Sequence, residues 1–404
     1  MKKVFLSAAV LIMSIAVFSQ QITQESLVIN IEVPVRVYKG NTFVDNLTID
    51  DFEILDEGIP QKIEAVYLIK KKSIERKEEK RKFSPEISRN FFLFFEISEY
   101  TSKLGDAISY FIHNKIISGD NIIFVTPLRT YRMVDRALDF KSKEELAQDL
   151  KEILYKDSLI GFSEYRNAVG ELMGLAEALS SEGSSFGQVD EFTSHEYRDL
   201  PLERKLMRYG DILNMIENLR RVDQQRLLAF AEYLKNLEGQ KYVFMFYQRE
   251  FIPQIEPRII DQFMTIYQDS PGILRSLSSL YGFFRRETSL DLDLLKKTYA
   301  DSSVSIHFLF ITTPPEHVPG IYFHEQSEDI YSVFREMSRA TGGYMESSAN
   351  PDFLFRRSVE ASENYYLLYY SPLNYNVSDK FIEIKVRVKN KDYRVIHRLG
   401  YFAD

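Results

Sequence analysis

Four nearly uninterrupted apolar runs most constrain how this chain can fold. They are FFLFFEI (91–97), NIIFVT (121–126), KYVFMFY (241–247) and SVSIHFLFI (303–311). Strands that are buried on both faces of a parallel sheet have this composition. Amphipathic helical patterns separate the runs, and one of them begins with a capping box, in which Glu145 follows Ser142 by three residues. This alternation predicts an α/β chain with a doubly wound, mainly parallel sheet.

The two ends of the chain follow a different pattern. Residues 27–69 and the runs FIEIKVRVK (381–389) and DYRVIHRLGYF (392–402) alternate apolar and polar positions, which predicts antiparallel strands. An Asn-Lys-Asp turn between the last two runs predicts a hairpin. Because each end is too small for a stable core of its own, we expect both to pack together as one small β module.

Residues 1–19 have the order of a secretory signal peptide. Two lysines precede an apolar stretch, and small side chains at Val17 and Ser19 are placed for cleavage. The stretch is short for a permanent membrane span, although a retained anchor is the alternative. We therefore expect a periplasmic or secreted protein with no permanent membrane span after cleavage.

Length and charge set further limits. The chain has 404 residues, 45% of them hydrophobic, and exceeds the usual size of one domain. A net charge of −8 argues against nucleic acid as the principal partner. The sequence contains no cysteine, so thiol catalysis and zinc–thiolate sites are excluded.

The same patterns suggest domain boundaries. The segment KKKSIERKEEKRK (70–82) is almost entirely charged, which favours a solvated linker, with a docking surface for an anionic partner as the alternative. The predicted units are a signal peptide (1–19), an N-terminal β module (20–69), a charged linker (70–87), an α/β domain (88–372) with helical insertions (about 182–238 and 255–300), and a C-terminal hairpin (373–404).

Three stretches carry a resemblance to a known family. They are LTIDDFEILDEGIPQKIEAV (47–66), GQKYVFMFY (239–247), and the C-terminal segments ATGGYMESS (340–348), NYYLLYYSPLN (364–374) and YRVIHRLGYF (393–402). The chain resembles the exported bacterial VWFA-related proteins of acidobacterial type. The resemblance implies a von Willebrand factor type A fold for residues 88–372, with ligands bound at the carboxyl ends of its strands.

In many type A domains that edge holds a divalent cation, which is bound only by oxygen atoms. The resemblance implies Asp-x-Ser-x-Ser after the first strand, a Thr in a second loop and an Asp after the fourth strand. Here Glu96 and Ser98 stand at the first two positions, and Tyr100 replaces the second Ser. Ser163 stands where the Thr is expected.

After the fourth strand, Gln248 and Arg249 occupy the place of the expected Asp. A longer Glu at the first position also crowds a compact octahedral shell. We therefore expect a degenerate metal-ion-dependent adhesion site that binds no metal and needs no cofactor. The alternative is that four side chains still hold Mg²⁺ or Ca²⁺: Glu96, Ser98, Ser163 and Gln248.

No motif indicates catalysis. HEYRD (195–199) and FHEQSED (323–329) lack the second His of a zinc protease, and no nucleophile elbow or phosphate loop occurs. The leading hypothesis is a non-enzymatic binding or scaffold protein with an unidentified protein partner. It would bind through loop residues Tyr100, Thr101, Ser163 and Arg249. The alternatives are a Mg²⁺- or Ca²⁺-dependent adhesion module and an exported hydrolase.

Overall fold

The computed structural model describes residues 29–133, 137–183, 197, 199–280, 290–313, 315, 317–325, 327–373, 375 and 377–403. The predicted signal peptide and the histidine of the HEYRD motif lie outside these residues. Within the described ranges, no helix has both the length and the apolar composition that a membrane span requires.

The described strands and helices follow one another along the whole chain. The strands are β1 (Ile31–Lys39), β2 (Thr42–Phe43), β3 (Phe52–Asp56), β4 (Ile59–Gln61), β5 (Ile63–Lys70), β6 (Ser73–Glu79), β7 (Arg89–Glu96), β8 (Asn121–Val125), β9 (Thr130–Met133), β10 (Gln240–Gln248), β11 (Phe251–Ile255), β12 (Val304–Ile311), β13 (Ile321–Glu325), β14 (Met345–Ser348), β15 (Asn364–Tyr370), β16 (Ser378–Val388), β17 (Arg394–His397) and β18 (Gly400–Ala403). The helices are α1 (Ser102–Asn114), α2 (Ala137–Phe140), α3 (Lys143–Gly161), α4 (Ser163–Gly183), α5 (Leu202–Leu219), α6 (Gln224–Lys235), α7 (Pro257–Ile266), α8 (Pro271–Leu280), α9 (Leu292–Asp301), α10 (Glu328–Ala340) and α11 (Pro351–Glu363).

The four apolar runs form the centre of one sheet. Its strand order is β14-β12-β10-β7-β8-β9, and all neighbours are parallel except the β8–β9 pair. Alternate side chains of β7 serve two cores: Phe91 and Phe95 pack with α1, α3 and α11, whereas Phe92 packs with α6, α9 and α10. Burial on both faces explains why these runs are mainly apolar rather than alternating apolar and polar residues.

Two antiparallel sheets form a β-sandwich beside this unit. One has the order β17-β1-β15-β5-β6, with β2 next to β1, and the other has the order β18-β16-β3-β4. Their facing side chains share one apolar core, to which Val35 and Tyr366 contribute from the first sheet and Ile54 and Val386 from the second. β17 pairs with β1 and β16 pairs with β3, so both chain ends supply strands to both sheets.

The predicted doubly wound, mainly parallel fold with a small β module is wrong. Parallel pairing is confined to five strands of one sheet, and the described pairings of the other three sheets are antiparallel. β15, expected within the α/β domain, lies between β1 and β5 in the sandwich. Its apolar run is buried on both faces, so its composition alone cannot separate it from a parallel strand.

Two further expectations differ from the structure. Ser73–Glu79, expected to lie in a linker, forms β6 at the edge of the first sandwich sheet and pairs with β5. Charged side chains suit an edge strand because they remain in water while the backbone pairs on one side. The predicted C-terminal hairpin is divided: β16 pairs with β3 and β18, while β17 crosses to β1 in the opposite sheet.

A further core is formed mainly by helices. Helices α4, α5, α7 and α8 pack with the β11–β13 pair around apolar side chains that include Leu172, Leu213 and Phe263. The second loop of the type A pattern, which contains Ser163, leads directly into α4. β10, the fourth strand of that pattern, is followed along the chain by β11. The helical unit can therefore supply side chains to the carboxyl ends of the parallel strands.

Buried arginines join the sandwich to the parallel sheet. Arg36 of β1 donates to the Gly342 carbonyl at 2.7 Å and to Ser305 Oγ at 2.9 Å. Arg398, which follows β17, donates from Nη2 to the Glu32 carbonyl of β1 at 2.8 Å and from Nη1 to the carbonyls of Ala300 and Asp301, at the end of α9, both at 3.4 Å. Hydrogen-bonded guanidinium groups in a buried contact leave little freedom for one part to move against the other.

Candidate functional site

The candidate site lies where β7 and β10 end side by side. Glu96, the last residue of β7, is in register with Tyr247 of β10, and Gln248 follows directly. Parallel strands end at the same edge of a sheet, so the loop after β7 meets the end of β10. The structure therefore places the Ser98 loop against Gln248, with Glu96 at the neighbouring strand end.

Gln248 closes the loop after β7. Its Oε1 accepts from the backbone N–H groups of Ser98 and Glu99, both at 3.0 Å, and from Ser98 Oγ at 3.2 Å. A carbonyl oxygen has two lone pairs, and three donors here exceed that capacity. This oxygen is therefore committed to the loop and has nothing left for a cation.

Arg166 is the site residue that sequence reasoning missed. It lies in the first turn of α4, and its Nη1 donates to the Ser98 carbonyl at 2.8 Å and to the Ser158 carbonyl at 3.1 Å. Its Nη2 also donates to the Leu159 carbonyl. The guanidinium thus ties the loop to the end of α3 and places a fixed positive charge beside it, which opposes a divalent cation. The only signal in the sequence is a basic residue shortly after Ser163.

The hydroxyls of Thr101 and Ser163 have local structural roles. Thr101 is the N-cap of α1, where its Oγ1 accepts from the Leu104 N–H at 3.4 Å. Ser163 Oγ donates to the Ile160 carbonyl at 2.7 Å, at the junction of α3 and α4. Neither side chain has a described contact with Glu96 or Gln248.

The residues after β10 turn away from the loop. Arg249 forms an ion pair with Glu325, with 2.7 Å between Nε and Oε1, and its guanidinium lies over the Phe310 ring. Glu250 is buried and forms an ion pair with Arg220 of the helical insertion. Glu250 is the acid nearest to the position where the type A pattern has its third-loop Asp. Its charge is therefore already balanced by Arg220.

Glu96 has no hydrogen bond or ion pair with any described residue. Its side chain is exposed to water. Desolvation by the neighbouring protein atoms raises its pKa to about 7. The described residues also contain no group of three or more His, Cys, Asp or Glu side chains that could hold a metal ion.

Exposed apolar side chains surround the loop on its α3 side. Tyr155, Leu159 and Ile160 are 53%, 53% and 57% exposed, and Leu128 is 40% exposed. Tyr155 and Leu159 lie one helical turn apart, on the same side of α3. The backbone of Pro127 lies close against Gly161, which brings Leu128 to the end of the helix.

Tyr100 links these side chains to the loop. Its ring meets the Tyr155 ring edge to face, with 5.7 Å between centroids. We call the set of Leu128, Tyr155, Leu159, Ile160 and Tyr100 the carboxyl-edge surface. It adjoins the Ser98 loop because Arg166 binds the end of α3 and that loop together.

Comparisons with known proteins give little support for a relationship. No family model matches this chain, and no curated protein matches it. Among solved structures, the human COPII-coat protein Sec24c matches with a TM-score of 0.26 and 10% sequence identity. That match covers 80% of this chain and 44% of the human chain, and at this score it carries no argument about fold or function.

Proposed function

We propose that this chain is a non-enzymatic binding protein that contacts a partner protein through the carboxyl-edge surface without a metal ion. The observation that carries the proposal is the group of exposed apolar side chains next to a loop held by Gln248 and Arg166. Contiguous exposed apolar surface on a folded protein is typical of interaction sites. A loop that is already fixed costs little entropy when a partner binds.

The partner's contact surface is apolar and carries a basic side chain. Leu159 and Ile160 favour an apolar counterpart, because water would be released from both surfaces. Glu96 precedes the loop that Arg166 binds to the Leu159 carbonyl, and it has no ion-pair partner among the described residues. A lysine or arginine of the partner would supply the missing charge and would lower the pKa of Glu96 on binding.

We include export to the periplasm or outside the cell in the proposal, on the strength of the signal-peptide pattern. Mass spectrometry of the protein's N terminus tests that part. A chain that begins near Gln20 supports export, and an intact Met1 in a membrane fraction contradicts it.

Affinity capture with paired variants tests the binding surface. Wild type, Leu159→Asp and Ile266→Asp are immobilised and exposed to an envelope extract. Ile266 is a matched control because it is also an exposed apolar residue near the end of a helix, in the separate helical unit. We expect a protein that wild type and Ile266→Asp retain and that Leu159→Asp loses.

If every retained protein binds Leu159→Asp as well as wild type, the proposed surface is wrong. Glu96→Gln then tests the charge contribution with the identified partner. Loss of a carboxylate that pairs with a desolvated cation should weaken binding by about tenfold or more. Equal affinities for wild type and Glu96→Gln would exclude a basic side chain opposite Glu96.

A further inference from the structure

Asp56 lies at a tight turn at the end of the β-sandwich. It precedes all residues of the carboxyl-edge surface in the sequence and belongs to a different part of the fold. Asp56 ends β3 and is in register with Ile59 of β4, so Glu57 and Gly58 form a two-residue loop. Both loop residues have positive φ values, 49° and 81°, as a type I′ hairpin turn requires. Gly58 supplies this backbone conformation without strain.

The Asp56 carboxylate is buried and connects both sheets. It is 7% exposed, and its Oδ2 accepts from Tyr370 of β15 at 3.1 Å and from Tyr401 of β18 at 3.0 Å. Its other oxygen, Oδ1, has no hydrogen-bond partner among the described residues, and none of their cationic side chains forms an ion pair with it. Burial raises the pKa of this carboxyl. A buried carboxylate without a countercharge is unfavourable and is stabilised when a cation arrives.

A cavity of about 250 Å³ opens onto this carboxylate. Its walls include the ring of Tyr375 and the apolar side chains of Ile59, Pro372 and Ile382. Lys380 also lines the cavity, but its ammonium pairs with Glu57 at 2.8 Å and is therefore already neutralised. The cavity thus combines one free carboxylate oxygen with aromatic and aliphatic walls.

We propose that this cavity binds the ammonium group of an alkylamine, either a free amine or the lysine side chain of a partner chain. The free oxygen of Asp56 accepts one N–H, and the tyrosine oxygens have lone pairs left for others. Aromatic faces favour a cation, and the aliphatic walls suit the methylene groups that carry it. An anion would be repelled by Asp56. Glu57 also lines the cavity, but its two oxygens already accept from Lys380 Nζ and the Glu383 N–H, so the cavity offers a hard metal ion too few free oxygen ligands.

Calorimetric titration of the purified full chain tests this site. The probes are n-butylammonium chloride, potassium chloride at equal ionic strength, and n-butanol. We expect binding of n-butylammonium only, and weakening by at least about tenfold in Asp56→Asn, because the variant keeps the shape but loses the charge. Glu53→Gln is the matched control, since Glu53 is an exposed carboxylate of the same strand, and its affinity should stay within about twofold of wild type.

Equal binding of potassium or n-butanol, or unchanged binding by Asp56→Asn, would overturn the proposal. Ala403→Leu provides a second test if Asp56→Asn does not fold, because a longer side chain on this cavity wall occupies the space and should abolish binding. Acetyl-Gly-Lys-Gly-amide separates the two sources. Tighter binding of the peptide indicates a lysine of a partner chain, and tighter binding of n-butylammonium indicates a free amine.

Discussion

His307 should make the protein less stable in mild acid. It lies in the middle of β12 with 0% exposure, its ring stacks on Phe244 at 4.8 Å between centroids, and its Nδ1 accepts from the Tyr344 N–H at 3.1 Å. Burial, together with the nearby charge of Arg36, lowers its pKa well below the ordinary value of 6.5. The folded protein therefore keeps this imidazole neutral while the unfolded chain takes up a proton.

The sign and size of the effect follow from proton linkage. A histidine with a depressed pKa in the folded state contributes full stability above pH 6.5, and that contribution is lost as the pH falls below the unfolded pKa. With an unfolded pKa of about 6.5 and no protonation of the folded state, the loss between pH 7.5 and pH 5 is about 2 kcal/mol. Acid therefore acts on His307 by stabilising the unfolded chain.

Denaturant unfolding of wild type and His307→Asn at several pH values measures the effect. Asn can still accept from the Tyr344 N–H but does not titrate. The variant is less stable than wild type, and it lacks the pH dependence that His307 gives to the stability of wild type. The gap in unfolding free energy should narrow by about 2 kcal/mol from pH 7.5 to pH 5. His397, whose pKa burial also lowers, is present in both proteins and cancels in the difference. A gap that stays constant over this range would refute the reasoning.

Three further outcomes can be measured by unfolding. Melting should be the same in excess Mg²⁺, Mn²⁺ or Ca²⁺ as in chelator, for wild type and Glu96→Ala; a rise of several degrees in wild type alone would restore the cation-dependent alternative. Arg220→Met should lower the free energy of unfolding by about 3–5 kcal/mol because it leaves Glu250 buried and unpaired. The double variant Arg220→Met with Glu250→Leu should recover most of that stability, and an equal loss in the single and the double variant would contradict this prediction. Gly343→Ala should be severely destabilised because its Cβ would overlap the backbone carbonyl of Ile306. Gly170→Ala, in the interior of α4 with open space around it, should be at least as stable as wild type; similar destabilisation of the two variants would contradict this prediction.

Local patterns predicted individual elements well. The four apolar runs form β7, β8, β10 and β12, and Ser142 with Glu145 forms the capping box that begins α3. These features depend on side chains that are neighbours in the sequence or on burial of both strand faces. Such information is present in a short stretch of chain.

The pairing of strands could not be predicted in the same way. β15 lies between β1 and β5, whose residues are about 300 positions away in the sequence, and β17 leaves its neighbour β16 to pair with β1. Apolar composition shows that a strand is buried but not which strand covers it. This is why the sequence overestimated the parallel sheet and underestimated the sandwich.

The candidate site shows the same limit at the level of side chains. Its first-loop positions and Gln248 were singled out by the resemblance to type A domains. The use of Gln248 as an acceptor for three loop donors depends on a contact across about 150 residues, which no local pattern shows. Arg166 reaches the same loop from α4, and it too has no local signature. Together these two side chains hold the loop in the way that a shared ion could, with hydrogen bonds in place of coordination. A partner that recognises this edge would therefore meet a loop that is fixed whether or not divalent cations are present, and its binding should be unaffected by chelator.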